Sequence, residues 1–161
     1  MNEENKVTLE VDTQEGRFLT FSLGEEAFGL EIKYVTEIVG MQAITEVPEV
    51  PMFVKGIINL RGKIIPVIDA RLKFKKEPIE YGDRTCIIVI DINEVSFGLI
   101  VDNVAEVLSI DNDKIALPPS NKTGFENKYI KGIGKTEESV ILLLDCEKLL
   151  AEDELRSVSS I

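Results

Sequence analysis

Short runs in which apolar and polar residues alternate, broken by glycine, proline or asparagine, dominate this chain. In RFLTFSL (17–23), Leu19, Phe21 and Leu23 alternate with Phe18, Thr20 and Ser22. A turn at Gly24-Glu25-Glu26 and the run AFGLEI follow, which together predict a β-hairpin. KYVTEI fits a short helical turn or a bent strand leading to Gly40, and MQAITEV ends in a loop punctuated by Pro48 and Pro51. FVKGIINL and KIIPVID, separated by Arg61-Gly62, predict a second hairpin, in which Pro66 demotes the second strand to an edge or bulge position. Asp69 is placed to cap the short segment ARLKF. TCIIVID (85–91), the turn Asn93-Glu94 and VSFGLIVD predict a third hairpin, and YIKGIG with ESVILLLD a fourth. Residues 109–128, with Pro118, Pro119 and Gly124, are expected to form a long irregular connection. From Asp145 the pattern becomes helical, with Leu149, Leu150 and Leu155 inward and Glu147, Lys148, Glu152 and Asp153 outward.

The pattern also repeats. AFGLEIKYVTEIV (27–39) returns as SFGLIVDNVAEVL (96–108), so that Phe28, Gly29, Leu30, Val35 and Glu37 match Phe97, Gly98, Leu99, Val104 and Glu106 at an offset of 69. FVKGIINLRGKIIPVIDARLKF (53–74) returns as YIKGIGKTEESVILLLDCEKLL (129–150), with Lys55, Gly56, Ile57 and Asp69 matching Lys131, Gly132, Ile133 and Asp145 at an offset of 76. Two blocks in one order, at nearly one offset, imply two copies of a small unit that is short for an independent domain. About five short strands per copy and little helix predict two small closed or nearly closed β-barrels meeting at a seam. The matched glycines Gly29, Gly56, Gly98 and Gly132 fit bulges or points of close backbone approach.

With 161 residues, 44% of them hydrophobic, the chain can bury a real core. No apolar run reaches the roughly 20 residues a bilayer demands, and MNEENKVTLEVD has no apolar stretch of a signal peptide, so a cytoplasmic protein is expected. Cys86 and Cys146 lie in or beside apolar runs and fit reduced, buried thiols. A net charge of −11 argues against nucleic acid as a partner. Residues 53–76 depart from that balance: seven basic residues against Asp69 give +6, either a steering patch for an acidic partner or a solvated face.

The residues of catalysis are scarce. Without histidine, serine or cysteine triads and histidine-ligated metal sites are excluded, and two isolated cysteines cannot form a four-cysteine zinc site. KGIGKTEES (131–139) lacks the spacing of a phosphate-binding loop. Carboxylates such as Asp69, Asp91, Asp102 and Asp145 keep a small carboxylate-dependent hydrolase as an alternative, although strand-end and capping roles suit them equally. A binding module fits the inventory better.

The strings GEEAFGLEIKYVTEI, FVKGIINLRGKIIPVIDAR and SFGLIVDNVAEVL, above all Asn59-Leu60-Arg61-Gly62 followed by an apolar strand and Asp69, closely resemble the CheW family of bacterial chemotaxis. The resemblance runs from about Arg17 to Leu150. It implies a mainly β fold of two pseudo-repeated, SH3-like five-stranded barrels around a shared apolar core, with short connecting helices and a C-terminal helix. One domain over 17–150 would then hold lobes at about 17–76 and 84–150, flanked by an acidic segment (1–16) and a helix end and tail (151–161). It also implies no enzymatic activity and no cofactor. The function implied is a scaffold coupling transmembrane chemoreceptors to the histidine kinase CheA, cytoplasmic and recruited to receptor arrays through its partners, without insertion into the membrane. A regulatory module cut from a CheA- or CheV-type protein is the near alternative. By this resemblance the receptor's hairpin tip meets Val35, Glu37, Ile38, Asn59, Leu60 and Arg61, and CheA's regulatory domain meets the loop with Met41 and Ile44. By spacing alone Val35 and Ile38 also fit core positions, and Asn59 fits a turn-forming role. Val39 stands where the family often has a basic residue, so a salt bridge there is not expected.

Overall fold

A computed structural model describes residues 15–118 and 128–150. β1 (Arg17–Leu23) and β2 (Glu26–Glu31) form the first hairpin, and a 3-10 turn (Ile32–Tyr34) leads into β3 (Val35–Gly40). KYVTEI is thus both things expected of it, a helical turn and then a strand. β4 (Val54–Leu60) and β5 (Lys63–Asp69) precede the one-turn helix α1 (Ala70–Lys73). The second half contains β6 (Cys86–Ile92), β7 (Val95–Val101), β8 (Asn103–Ser109), β9 (Ile115–Ala116), β10 (Ile130–Lys135), β11 (Val140–Leu144) and α2 (Cys146–Leu150). The expected irregular connection is in part ordered as the end of β8, a 3-10 turn (Asn112–Lys114) and β9. Pro119, Gly124, Glu152, Asp153 and Leu155 lie outside the described residues, as do residues 1–14.

Turn chemistry fixes the hairpins. Arg61 and Gly62 both have positive φ (+53° and +87°), as do Asn93 and Glu94 (+50° and +67°). Such turns match the right-handed twist of flanking strands. Asn59 Oδ1 accepts the Gly62 N–H at 2.8 Å, which tightens the first of them.

The strands form two sheets, ordered β8-β1-β2-β11-β10-β9 and β3-β6-β7-β5-β4. The sequence halves are therefore not the sheets. The leading hairpin of each half lies in the sheet otherwise built by the other half, joined there through a parallel pairing: Leu143 faces Gly29, and Val67 faces Gly98. These two pairs map onto each other under the offsets of 76 and 69. The duplication extends to single bonds: the Asp69 N–H donates to the Phe53 carbonyl and the Asp145 N–H to the Tyr129 carbonyl, both at 2.8 Å. Asp69 and Asp145 then cap α1 and α2 by accepting the N–H groups of Leu72 and Lys148. The two-residue β9, whose twin is only a bridge between Thr45 and Ile57, makes one sheet six-stranded and the other five-stranded, where five each were expected.

Three apolar clusters result. Leu19, Phe21, Phe28, Leu30, Ile88, Ile90, Phe97 and Leu99 meet between the sheets in a shared core, which α2 completes with Leu149. The opposite faces of the same strands fill the barrel interiors. Ile58, Leu60, Ile65, Val67, Ile87, Val89 and Ile100 fill one; Phe18, Ile110, Ile141 and Leu143 fill the other. Burial on both faces explains why IIVI (87–90) reads as a continuous apolar run rather than an alternating one. Gly98 lies at a tight crossing: a Cβ there would sit 2.7 Å from Ile87 Cγ2 and 2.8 Å from Val67 Cγ1.

The edge position expected from Pro66 is not observed, since β5 is flanked by β4 and β7. β7 pairs with β5 only from Val67 onward, so the missing proline N–H falls one residue before the strand gains its second neighbour.

Candidate functional site

β3 carries three of the six residues expected to touch a receptor, and its geometry depends on a bulge between Val35 and Glu37. Val35 pairs with Ile90 and Ile38 with Ile88, both strand partners facing the shared core, whereas Glu37 pairs with Val89 of the barrel interior. Cross-strand partners point to the same side of a sheet. The bulge thus places Val35 and Ile38 on the seam side and turns Glu37 to the barrel end. Val35 is half-buried against the shared core, and Ile38, 44% exposed, forms an apolar rim beyond it.

Glu37 meets Arg61, whose guanidinium Nη2 donates to Glu37 Oε2. β3 and β4 are opposite ends of their sheet, so this ion pair spans the gap between the first strand and the β4–β5 turn and marks a sheet curled nearly shut. The Arg61 side chain remains 69% exposed, so its pairing with Glu37 is solvent-screened and leaves the outer face of the guanidinium open. Asn59 is exposed and holds the turn through its bond to Gly62. Leu60 departs from the expected surface set. At 9% exposure it packs with Ile58, Ile65 and Val67, because beyond the bulge between Val54 and Gly56 strand alternation carries Ile58 and then Leu60, the last residue of β4, into the barrel interior.

Met41 and Ile44, expected to meet the kinase, are half-buried and pack with Val39 against the same barrel interior, plugging its end. The loop is held close by the Thr45–Ile57 bridge, made possible by Gly56 (φ +145°), where a Cβ would lie 2.1 Å from the Thr45 carbonyl oxygen. Val39 thereby serves the core.

Sequence reading missed Val107. It is the twin of Ile38 at the offset of 69, pairs with Leu19 of the shared core as Ile38 does with Ile88, and is 39% exposed. Applying the offset to each chosen residue would have found it.

The basic stretch 53–76 is not a uniform solvated face. Arg71 holds Asp102 through bonds of 2.6, 2.9 and 3.2 Å, and Asp102 also accepts the Gly24 N–H at 2.8 Å. The bonded guanidinium, chiefly, holds the Asp102 carboxyl below its usual range. Lys76 pairs with Glu26, and the Lys63 ammonium donates to Ser96 Oγ at 2.7 Å. Lys73 is buried, its ammonium 3.9 Å from the centre of the Phe53 ring.

The four singled-out carboxylates likewise have structural partners. Asp69 and Asp145 cap helices, Asp69 also accepts the Tyr81 hydroxyl at 2.7 Å, Asp91 accepts from Ser96, and Asp102 holds Arg71. Burial pushes the Cys146 thiol up to about 12 and raises that of half-buried Cys86, so both are poor nucleophiles. Among the described residues, no helix is long and apolar enough to cross a membrane.

The chain resembles known proteins over most of its length. The model of the CheW-like domain matches residues 17–154. Chemotaxis protein CheW of Klebsiella aerogenes is 37% identical over 144 residues, 89% of this chain and 87% of that protein. Its counterpart in Treponema pallidum is 31% identical over 160 residues, 97% and 94% of the respective chains. The crystal structure of the scaffolding protein TtCheW from Thermoanaerobacter tengcongensis superposes with a TM-score of 0.79 at 40% identity, covering 86% of this chain and 94% of that one.

Proposed function

The chain belongs to the CheW-like domain family, and from that premise we propose how it works as a chemotaxis coupling adaptor. Residues 17–150 act as one non-enzymatic module of two lobes that binds protein surfaces at its seam and barrel ends. On one side it takes the helical hairpin tip of a chemoreceptor, and on the other the regulatory domain of the histidine kinase CheA. Recruitment to receptor arrays follows from these contacts.

The observation that carries this reading is the rim on β3: an exposed apolar side chain, Ile38, beside the solvent-facing Arg61–Glu37 pair. An amphipathic helix is recognised by such a combination, since an apolar anchor supplies affinity and a charged pair sets register. Arg61 adds a planar donor fork suited to a partner carboxylate. Met41 and Ile44 present their remaining exposed surface at the barrel end for the kinase.

Co-sedimentation with CheA and a soluble receptor fragment tests the proposal. Ile38→Asp and Arg61→Glu should each weaken receptor binding at least tenfold while leaving the thermal melt within a few degrees of the parent. Parent-like receptor binding by both variants would overturn the assignment of the β3 rim.

A further inference from the structure

The β4–β5 turn, which carries Arg61, extends past the backbone pairing that could anchor it sideways. β5 begins at Lys63, yet β7 pairs with it from Val67 onward, so Lys63 to Pro66 run beyond the ladder between those two strands. Pro66 has no N–H with which to lengthen that ladder. β4, the other strand of the hairpin, stands at the end of the sheet order. Bonds between β4 and β5 keep the tip together as a hairpin, while its position in the barrel mouth is left to side chains.

Two basic residues flank Gly62 and reach in opposite directions. Arg61 crosses the gap to Glu37 on β3. Lys63 turns the other way, and its ammonium donates to Ser96 Oγ at 2.7 Å. The hydroxyl in turn donates to Asp91 Oδ1. Ser96 and Asp91 are cross-strand partners in the β6–β7 hairpin, which puts both side chains on one side of the sheet. A hydroxyl has a single proton. Asp91 takes it, so the oxygen lone pairs face the ammonium and the relay runs one way, from cation to carboxylate. Each of its bonds has an ionised partner and is stronger than a bond between neutral groups. Ser96 is 8% exposed, whereas Lys63 and Asp91 are exposed, so the buried hydroxyl is the fixed point of the relay.

We propose that Ser96, backed by Asp91, is a positioning residue of the coupling surface. By holding Lys63 it fixes the β4–β5 turn, so that the Arg61 guanidinium stays against Glu37 with its outer face toward the receptor. This rests on the assignment of Arg61 to the receptor contact, and adds that its placement is set from the far side of the turn. Without the relay the tip swings about Val67 and Arg61 spreads over more orientations than a receptor selects. Affinity then falls although no contact residue has changed.

Ser96→Thr and Ser96→Val test this, because the two side chains have nearly one shape and differ in the hydroxyl. Both are β-branched and suit a strand. The whole chain is titrated with a soluble receptor fragment, and the Arg61 Nε–Hε signal is followed by NMR in the absence of the fragment. The valine variant should bind roughly three- to tenfold more weakly than the threonine variant, the scale of one net hydrogen bond, with melting midpoints within a few degrees of each other. Its Arg61 signal should shift and exchange faster with water. In an Arg61→Ala background the difference in binding should vanish, since the relay acts through Arg61. Three results would overturn the proposal: one Arg61 signal for both variants, equal affinities while Arg61→Glu weakens binding, or a difference that survives undiminished without Arg61. Parent-like binding by Arg61→Glu would instead sink the receptor assignment, and the Arg61 signal, read without receptor, would still decide whether Ser96 positions the guanidinium.

Discussion

Replacing Arg71 by methionine removes a charge but keeps most of the aliphatic stem, and so isolates what the Arg71–Asp102 pair contributes. The pair connects α1, the junction of β7 with β8 and, through the Gly24 N–H, the turn of the first hairpin. Its side chains are only 14% and 19% exposed, which sets it apart from the solvent-facing pairs. Unit charges about 4 Å apart attract by roughly 4 kcal/mol at an effective dielectric constant of about 20. Desolvation offsets part of this, while the stranded Asp102 retains one N–H donor and a little water. A loss of about 2–3 kcal/mol is expected, or roughly 30- to 160-fold in the folding equilibrium. For a chain of this size that lowers the melting midpoint by about 5–10 °C. By contrast, Lys76→Met at the more exposed pair with Glu26 should cost less than about 1 kcal/mol.

Urea unfolding at several pH values is the assay. The Asp102 pKa is depressed by Arg71 first and also by Lys76, so the pair's stabilisation is fully present above the unfolded carboxyl value of about 3.9. It disappears as pH falls through the lower folded value. Parent and Arg71→Met should therefore differ most near neutrality and converge in acid below about pH 4. A gap that stays constant from pH 7 to pH 3 would mean that packing, not charge, was lost, and a gap below about 0.5 kcal/mol at pH 7 would refute the reasoning outright.

Two further outcomes follow from burial. Leu60→Ala should destabilise by about 2–5 kcal/mol in the same urea assay, whereas Asn59→Ala should cost about 1 kcal/mol by loosening the turn; equal and small effects would return Leu60 to the surface. With its thiol pushed up to about 12, native Cys146 at pH 8 is thiolate in only about one molecule in ten thousand, so iodoacetamide should label Cys86 first and Cys146 only after unfolding, as peptide mass spectrometry would show.

Local chemistry was legible in the sequence wherever it acts over a few residues. The hairpin turns at Arg61-Gly62 and Asn93-Glu94, the caps at Asp69 and Asp145 and the inward Leu149 all follow from neighbouring residues. The repeat announced two matching lobes. The exchange of hairpins between sheets was not legible, because parallel pairing of Gly29 with Leu143 leaves no mark on either segment. Nor was the bulge in β3, without which Val35 and Ile38 would point to opposite sides of the sheet. Leu60 was expected on the surface although it shares the strand parity of Ile58, which fills the barrel interior; the resemblance marked the whole turn motif and hid that parity. The cationic stretch 53–76 looked uniform because its acceptors, Glu26, Glu37, Ser96 and Asp102, lie far away in sequence.

The exchanged hairpins also bear on how the chain reaches its folded state on the ribosome. β1 and β2 are made first, yet their parallel neighbour β11 is close to the last strand made. Until then the first hairpin holds Phe21, Phe28 and Leu30 against an incomplete sheet, and the Gly29–Leu143 pairing waits for more than a hundred intervening residues. Contacts this distant in sequence close a large loop and slow the approach to the native state. Neither half can finish its barrel alone, so a ribosome stalled after β5 would carry an open apolar seam, the kind of surface that chaperones bind and that aggregates when they do not.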